Sequence, residues 1–251
     1  SWANTAALRL AGITANTPNP EGGEIQRNAQ GEPTGILLES AMDLLSRAIP
    51  TPTITDVIES IQQAQPRLWQ MGLTGGHDFD GPRCFAALAH LEAENALGLR
   101  ILKGIRQSSL DSASELRLRG GYGSEMLWFG AVKLFADGAL GPQTAAMLAP
   151  YEGTDHSLGM ALLTAEEIFE IGKQAAQSRL GLAIHAIGDN ANRIVLDGYA
   201  KLSKWEKETG HPHLRHRIEH VQVLHPEDLG RLAELEIIAS MQPIHATSDM
   251  E

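Results

Sequence analysis

Several features that would indicate particular classes of protein are scarce or absent in the sequence. It contains one cysteine, Cys84, so no disulfide can form within the chain, and we expect Cys84 to pack as an apolar residue on a helix. No apolar run approaches the ~20 residues of a membrane-spanning helix, and no signal-peptide pattern opens the chain. Basic residues are outnumbered, 20 against 31 acidic ones, and the net charge of −11 disfavours binding to nucleic acid. We therefore expect a cytoplasmic protein with neither membrane nor nucleic-acid partners.

Aromatic residues are also scarce, at 5%, whereas hydrophobic residues in total reach 43%. This balance is typical of helices packed on a buried sheet of aliphatic residues, and 251 residues suffice for one barrel-sized domain. Residues 1–52 are rich in Pro, Gly and Asn. We interpret them as an irregular segment or insertion over the main domain, with a turn at residues 28–33 between short strands. The main domain is predicted to cover residues 53–251.

In that main domain, predicted strands and helices alternate. The strands are 73–79, 99–105, 127–135, 181–187, 216–223 and 236–241, and the helices are 55–71, 82–98, 111–118, 164–179, 190–208 and 226–235. Short connections imply parallel strands with right-handed crossovers. The strand–GxGxxG–helix entry of a nucleotide-binding sheet is absent, which favours a (β/α)8 barrel over an open doubly wound sheet. Because six strands do not close such a barrel, the predicted fold class is α/β with an incomplete TIM-type barrel.

Polar residues gather where the predicted strands end, which is where parallel βα folds carry their sites. Four of the six strand ends hold a histidine, a distribution that 10 randomly placed histidines would rarely give. The strand ends therefore predict a functional site. Its candidate residues are His77, Asp78, Lys133, Asp137, His185, Asp189, Glu219, His220, Gln242, His245 and Asp249.

Lys133 lies inside the apolar run 129–135 (FGAVKLF), where burial of an ammonium is costly. Three interpretations stay open for it. A buried lysine with a depressed pKa can serve as a Schiff-base nucleophile. It can instead react with carbon dioxide to give a carbamate, an anionic oxygen ligand able to bridge two metal ions. Finally, it can extend its ammonium to solvent or pair with a carboxylate.

His185 and His220 each follow an apolar strand. Taken singly, each is more often a hydrogen-bonded core histidine than a metal ligand. Together with Lys133 on three successive strands they favour a divalent-metal site, because imidazole nitrogen and carboxylate-type oxygen suit zinc and similar ions. Asp189 and Glu219 are predicted to contact substrate or ligands, with a helix cap or an ion pair as the alternative for both.

The other histidines give weaker signals. His90 is predicted on a helix surface, and His211, His213 and His216 in a solvated turn. His245, at a strand exit, is a candidate substrate contact. Serine hydrolysis has no support, because no Gly-x-Ser-x-Gly elbow is present.

Several segments, in order and spacing along nearly the whole chain, resemble the amidohydrolase superfamily. The branch they resemble is amidohydrolase 3, that of YtcJ-like and N-substituted formamide deformylase-like proteins. The segments are residues 1–8 (SWANTAAL), 32–39 (EPTGILLE), 72–78 (GLTGGHD), 132–141 (VKLFADGALG), 185–189 (HAIGD), 217–220 (RIEH) and 240–245 (SMQPIH).

The resemblance implies a (β/α)8 barrel flanked by a small β-sandwich, with the six strands here as strands 2–7. It implies hydrolysis of an amide or other non-peptide C–N bond in a small molecule by metal-activated water, with zinc as the expected ion. Lys133 would be the carboxylated ligand, and His185 and His220 the further catalytic ligands. The strand-end positions, rather than the resemblance, give the expected substrate contacts, which are His77, Asp137, Asp189, Glu219 and His245.

The resemblance also implies parts that lie outside this sequence. The His-x-His pair of the first strand would precede Ser1, and the aspartate of the eighth strand would follow Glu251. We therefore expect the central portion of a barrel, weakly active or inactive alone. Two alternatives stay open: an aldolase-like barrel enzyme with Lys133 as Schiff-base nucleophile, and a non-catalytic fragment whose open strand edges self-associate into a homo-oligomer.

Overall fold

Eight strands in two separate sheets organise the described part of the chain, residues 1–154 and 156–248 of the computed structural model. The chain divides into two compact units, Ser1–Asp56 and Val57–Glu251. The first contains the smaller sheet, and the second contains the sheet on which the candidate site lies.

The first unit is an antiparallel hairpin with two short helices. Its elements are helix α1 (Thr5–Leu10), strands β1 (Gly23–Arg27) and β2 (Pro33–Glu39), and helix α2 (Met42–Ser46). The side chain of Asn28 accepts hydrogen bonds from the backbone amides of Gln30 and Glu32, which fixes the turn between the strands. The predicted turn between short strands is confirmed, whereas helix α2 is not apparent from composition.

The second unit is built on six parallel strands whose spatial order follows their order in the chain. The strands are β3 (Gly75–Asp78), β4 (Arg100–Arg106), β5 (Leu127–Phe135), β6 (Gly181–Ala186), β7 (Arg217–His220) and β8 (Ile238–Ser240). Helix α3 (Ile54–Gln70) begins at the end of the first unit and continues into the second. The other helices are α4 (Pro82–Ala93), α5 (Leu110–Glu115), α6 (Ala165–Gln177), α7 (Asp189–Thr209), α8 (Leu229–Glu234) and α9 (Ile244–Ser248), with 3-10 turns at Gln107–Ser109 and Pro226–Asp228. The prediction of six successive parallel strands is confirmed.

The two faces of the sheet differ because successive residues of a strand point to opposite sides. On one face Val132, Leu134, Leu182, Ile184 and Ile218 are at most 1% exposed and share one core with residues of α6 and α7. The predicted capping box of α6 is present and sets where that helix begins. The other face carries the polar side chains of the central strands.

The sheet curls toward this polar face. His77 on β3 and Arg217 on β7 are separated by three strands in the sheet, yet their side chains are hydrogen-bonded to each other. Such contact requires the strands to bend around a common interior, as in a barrel. The second unit is therefore a curled, six-stranded parallel half-barrel, consistent with part of a TIM-type barrel.

Several elements end earlier than predicted, and left-handed backbone conformations explain where. Helix α4 stops at Ala93 because Asn95 has φ 54°, and α5 stops at Glu115 because Arg117 has φ 53°. Strand β7 stops at His220, where φ is 81°, followed by 49° at Val221. Neither a helix nor a strand continues through such a residue.

The single cysteine and the lack of long apolar runs can both be examined in the structure. Cys84 lies half-buried on α4 among apolar residues, as predicted. Within the described residues, no helix combines the length and the apolar character needed to cross a membrane. Helix α7 has 21 residues, but Lys201, Lys204 and Lys207 lie along it.

Candidate metal centre

The registers of β5, β6 and β7 bring the candidate residues to one end of the polar face. Phe135 pairs with His185 and His185 with Glu219, while Lys133 lies two residues before Phe135 on the same side of its strand. Parallel strands deliver their carboxyl ends to one edge, so residues distant in sequence become neighbours there. Lys133, His185 and His220 therefore lie at one mouth of the half-barrel.

Lys133 is 8% exposed, and its Nζ donates a hydrogen bond to the carbonyl oxygen of Leu134 at 3.1 Å. The ammonium also lies 4.3 Å from the centre of the Phe135 ring and 5.5 Å from that of Phe79. Burial lowers the pKa of Lys133 to about 8, against the opposing attraction of Glu219. A substantial neutral amine population near pH 8 gives this lysine nucleophilic character.

His185 is fixed by its Nε2 atom, which lies 2.7 Å from the carbonyl oxygen of Gly138 and 3.5 Å from a carboxylate oxygen of Asp137. Both partners only accept hydrogen bonds, so Nε2 carries the proton and Nδ1 keeps its lone pair. Burial lowers the pKa of His185, although the hydrogen bond to Gly138 and the charge of Asp137 act in the opposite direction. A neutral imidazole with one free lone pair is the form that binds metals.

His220 reaches the same place through its unusual backbone. Ile218 is buried in the core under the helices and Glu219 lies on the polar face, so regular alternation would send His220 toward the helices. Its φ of 81° turns it instead toward the strand ends, where its ring lies 4.7 Å from that of His185, edge to face. Strained backbone of this kind is often found at functional sites.

Next to His220, the ring of His245 on α9 lies 5.7 Å away. Gln242, after β8, links the two rings: its Oε1 is 2.7 Å from Nδ1 of His220 and 3.2 Å from Nε2 of His245. Asp249, also at this predicted strand end, lies outside the described residues.

Asp137 and Asp189 anchor loops at the strand ends. The buried carboxylate of Asp137 accepts hydrogen bonds from the backbone amides of Ala146, Ile187 and Gly188 at 2.8 to 3.0 Å. Burial raises the pKa of Asp137, although these three bonds act in the opposite direction. Asp189, the first residue of α7, accepts from the amide of Leu148 at 2.8 Å. Both carboxylates thus join the segment after β5 to the end of β6.

A charged network crosses the interior between β3 and β7. Arg217 donates to Glu219 on its own strand and to Nδ1 of His77. Burial and the charge of Arg217 lower the pKa of His77. Burial alone would raise the pKa of Glu219, but hydrogen bonds from Arg217 and Ser240 hold it below its ordinary value. Arg217 lies before the strand end and is not singled out by the strand-end pattern. The sequence feature that could have identified Arg217 is its position two residues before Glu219, which puts both side chains on the same face of the strand.

A cavity of about 830 Å³ opens beside Lys133. Phe79, Phe135 and Leu162 give it apolar walls, and Arg106, whose backbone pairs with that of Lys133, supplies a cation. A space of this size and composition is typical of small-molecule sites.

His216 does not lie in a solvated turn, so that expectation is wrong. It is 2% exposed; its Nδ1 accepts from the amide of Leu182 at 3.1 Å and its Nε2 donates to buried Glu206 at 3.1 Å. The buried carboxylate on α7 explains the burial, because it gives the imidazole a partner away from water. His90 is exposed, as predicted.

The donor set at the strand ends suits a divalent cation. His185 and His220 each have one ring nitrogen held by a hydrogen-bond acceptor and one that can keep its lone pair, which is the usual arrangement of a metal-bound histidine. A second group of potential ligands lies elsewhere, on β3, on α4 and in the loop between them: Asp78, Cys84 and Asp80. It suits a metal less well, because Lys103 already neutralises Asp78 and burial raises the pKa of Cys84 to about 11.

Comparison with known proteins places this site in context. The protein-family model described as "Amidohydrolase family" matches residues 1–251 of this chain. YtcJ of Bacillus subtilis (strain 168) is 36% identical over 254 residues, covering 98% of this chain and 46% of that protein. N-substituted formamide deformylase of Arthrobacter pascens is 29% identical over 253 residues, covering 94% of this chain and 44% of that protein. These matches confirm the resemblance seen in the sequence segments.

One solved structure is similar to this chain in three dimensions as well as in sequence. The crystal structure of an uncharacterized metal-dependent hydrolase from Pyrococcus furiosus superposes with a TM-score of 0.78 at 28% identity, covering 98% of this chain and 48% of that one. The chain thus spans about half the length of the relatives it matches.

Proposed function

The chain belongs to the amidohydrolase family, and from that premise we propose that it provides the central ligands of a divalent-metal hydrolase. The proposed ligands are Lys133, His185 and His220, and the proposed ion is zinc. The observation that carries the proposal is the edge-to-face approach of two histidine rings, 4.7 Å apart, beside a buried lysine. Its six strands would be strands 2–7 of the family barrel.

The proposed substrate is a small molecule with an amide or other non-peptide C–N bond. When bound, the ion would lower the pKa of a water molecule and polarise the scissile carbonyl. Lys133 would serve as a carbamate: its neutral amine bonds to the carbon of carbon dioxide and releases a proton, giving an anionic oxygen ligand. Its pKa of about 8 supports this role, because only the neutral amine reacts.

Other residues would position ligands and substrate. Asp137 anchors the segment whose Gly138 carbonyl oxygen fixes His185. Together with Asp189 it also orders the loop after β5. Arg217 orients both His77 and Glu219, whose side chains face the interior as proposed substrate contacts. His245, beside His220, is the further proposed contact. We place the reaction in the cytoplasm and include a homo-oligomer among the states to be tested.

The test is zinc binding by the purified chain, measured by competition with a chelator and by elemental analysis. We expect Lys133→Ala, His185→Ala and His220→Ala each to weaken binding by roughly tenfold or more. A His90→Ala control on the exposed face of α4 should bind as the wild type does. Equal zinc affinity in all four variants would contradict the proposal.

A second candidate, a Schiff-base enzyme, is favoured by the lowered pKa of Lys133. Borohydride reduction in the presence of a carbonyl compound would then label Lys133 covalently, an outcome that the metal proposal does not predict. Turnover should be sought with N-substituted formamides and other small amides, with light scattering to give the oligomeric state. A metal-free, self-associating chain without turnover would instead support the non-catalytic fragment.

A further inference from the structure

Gln242 lies between two of the imidazoles at the strand ends. Its Oε1 is 2.7 Å from Nδ1 of His220 and 3.2 Å from Nε2 of His245, and its Nε2 is 3.2 Å from the carbonyl oxygen of Ser240. All three polar contacts are within hydrogen-bonding distance. The amide group therefore has a defined partner on each side.

The Ser240 carbonyl decides which way the amide points. A carbonyl oxygen can only accept, so the NH2 group of Gln242 must face it, and the amide oxygen must face the histidine rings. That oxygen can only accept as well. Each ring nitrogen directed at it must then carry a proton: Nδ1 in His220 and Nε2 in His245.

This arrangement selects one of the two neutral tautomers of His220. With the proton on Nδ1, the lone pair is on Nε2 and is available to a ligand. We propose that Gln242 is a positioning residue that fixes the tautomer and ring orientation of His220 for metal binding. The metal part of this inference rests on the proposed function, whereas the tautomer part does not.

The neighbouring histidine is fixed in the complementary way. Nε2 of His185 is held by the carbonyl oxygen of Gly138 at 2.7 Å, which leaves the lone pair on Nδ1. The ring centres of His185 and His220 are 4.7 Å apart. His185 would thus offer Nδ1 to a metal ion, and His220 would offer Nε2. In each ring the other nitrogen is held by an acceptor that is not itself a proposed ligand.

The test compares Gln242→Leu, which removes the acceptor, with Gln242→Glu, which keeps one. Gln63→Leu, at an exposed position of α3, is the matched control. In the metal-free full chain, long-range 1H–15N correlation spectra report directly which ring nitrogen is protonated. Wild type, control and Gln242→Glu should show His220 protonated on Nδ1, and Gln242→Leu should lose this preference. His185 should be unchanged throughout and serves as an internal reference for correct folding.

Zinc affinity is the second measurement. We expect Gln242→Leu to bind zinc roughly 10- to 100-fold more weakly than the wild type, with most of the affinity retained in Gln242→Glu. Retention of the Nδ1–H tautomer and of full zinc affinity in Gln242→Leu would overturn the inference. If wild type and control bind no zinc, the proposed function fails, while the tautomer spectra still decide whether Gln242 fixes His220.

Discussion

Replacing Lys133 with methionine is expected to stabilise the metal-free protein at neutral pH. The pKa of Lys133 falls from 10.5 to about 8, chiefly because burial disfavours the ammonium. At ~1.4 kcal/mol per pKa unit this corresponds to about 3 kcal/mol of unfavourable free energy in the folded state. Methionine has a similar length and no charge, but it loses the attraction to the Phe135 ring, about 1 kcal/mol. The free energy of unfolding should therefore rise by about 2 kcal/mol.

The pH dependence of this effect has a definite sign. The folded protein releases the proton of Lys133 near pH 8, whereas the unfolded chain keeps it until about pH 10.5. Unfolding therefore takes up a proton between these values, and the wild type gains stability relative to the variant as the pH rises. The advantage of Lys133→Met should be full below pH 8 and should shrink toward pH 10.5.

Urea denaturation followed by circular dichroism, at pH 7 and at pH 9.5 after chelation of metals, measures both effects. Lys204→Met, at a side chain 76% exposed on α7, is the control and should change stability little at either pH. A Lys133→Met variant that is less stable than the wild type by the same amount at both values would refute the reasoning. The same variant should lose zinc affinity, so the lysine would favour function at the expense of stability.

Three further predictions concern residues that hold the strand ends and the core in place. Asp137→Asn should lower the free energy of unfolding by roughly 2–4 kcal/mol in urea denaturation, because an amide NH2 would face backbone donors in a buried site. The control Asp43→Asn, at an exposed position, should leave the free energy of unfolding unchanged. His216→Leu should lower the free energy of unfolding by roughly 1–3 kcal/mol in the same assay, because the buried carboxylate of Glu206 loses its hydrogen bond from His216 and keeps the weaker contact with His213 at 3.6 Å. Unchanged stability would contradict that assignment. In Gly188→Ala the new Cβ would lie 1.9 Å from the carbonyl oxygen of Ala146, so we expect a lower melting temperature and weaker zinc binding, and a variant equal to wild type in both would show that the loop adapts freely.

The half-barrel was largely predictable because its signal is local. Strand β5 occupies the predicted residues 127–135, and the capping box of α6 can be read from Thr164 and Glu167 alone. Apolar runs and helix caps depend on residues a few positions apart, which a sequence displays directly. The ends of helices α4 and α5, set by the positive φ of Asn95 and Arg117, were not predicted, because positive φ in residues other than glycine gives no reliable sequence signal.

The parallel strand–helix alternation and the set of strand-end residues can be derived from the amino-acid sequence, since both follow from local patterning and the rule that parallel strands end at one edge. The way in which those residues are used depends on the three-dimensional arrangement of the elements. The turn of His220 toward His185, the contact of Arg217 with His77 across the interior, and the burial of His216 against Glu206 all join residues from separate elements. Hydrogen bonding and burial depend on which groups meet in space, and that pairing exists only after the sheet has curled.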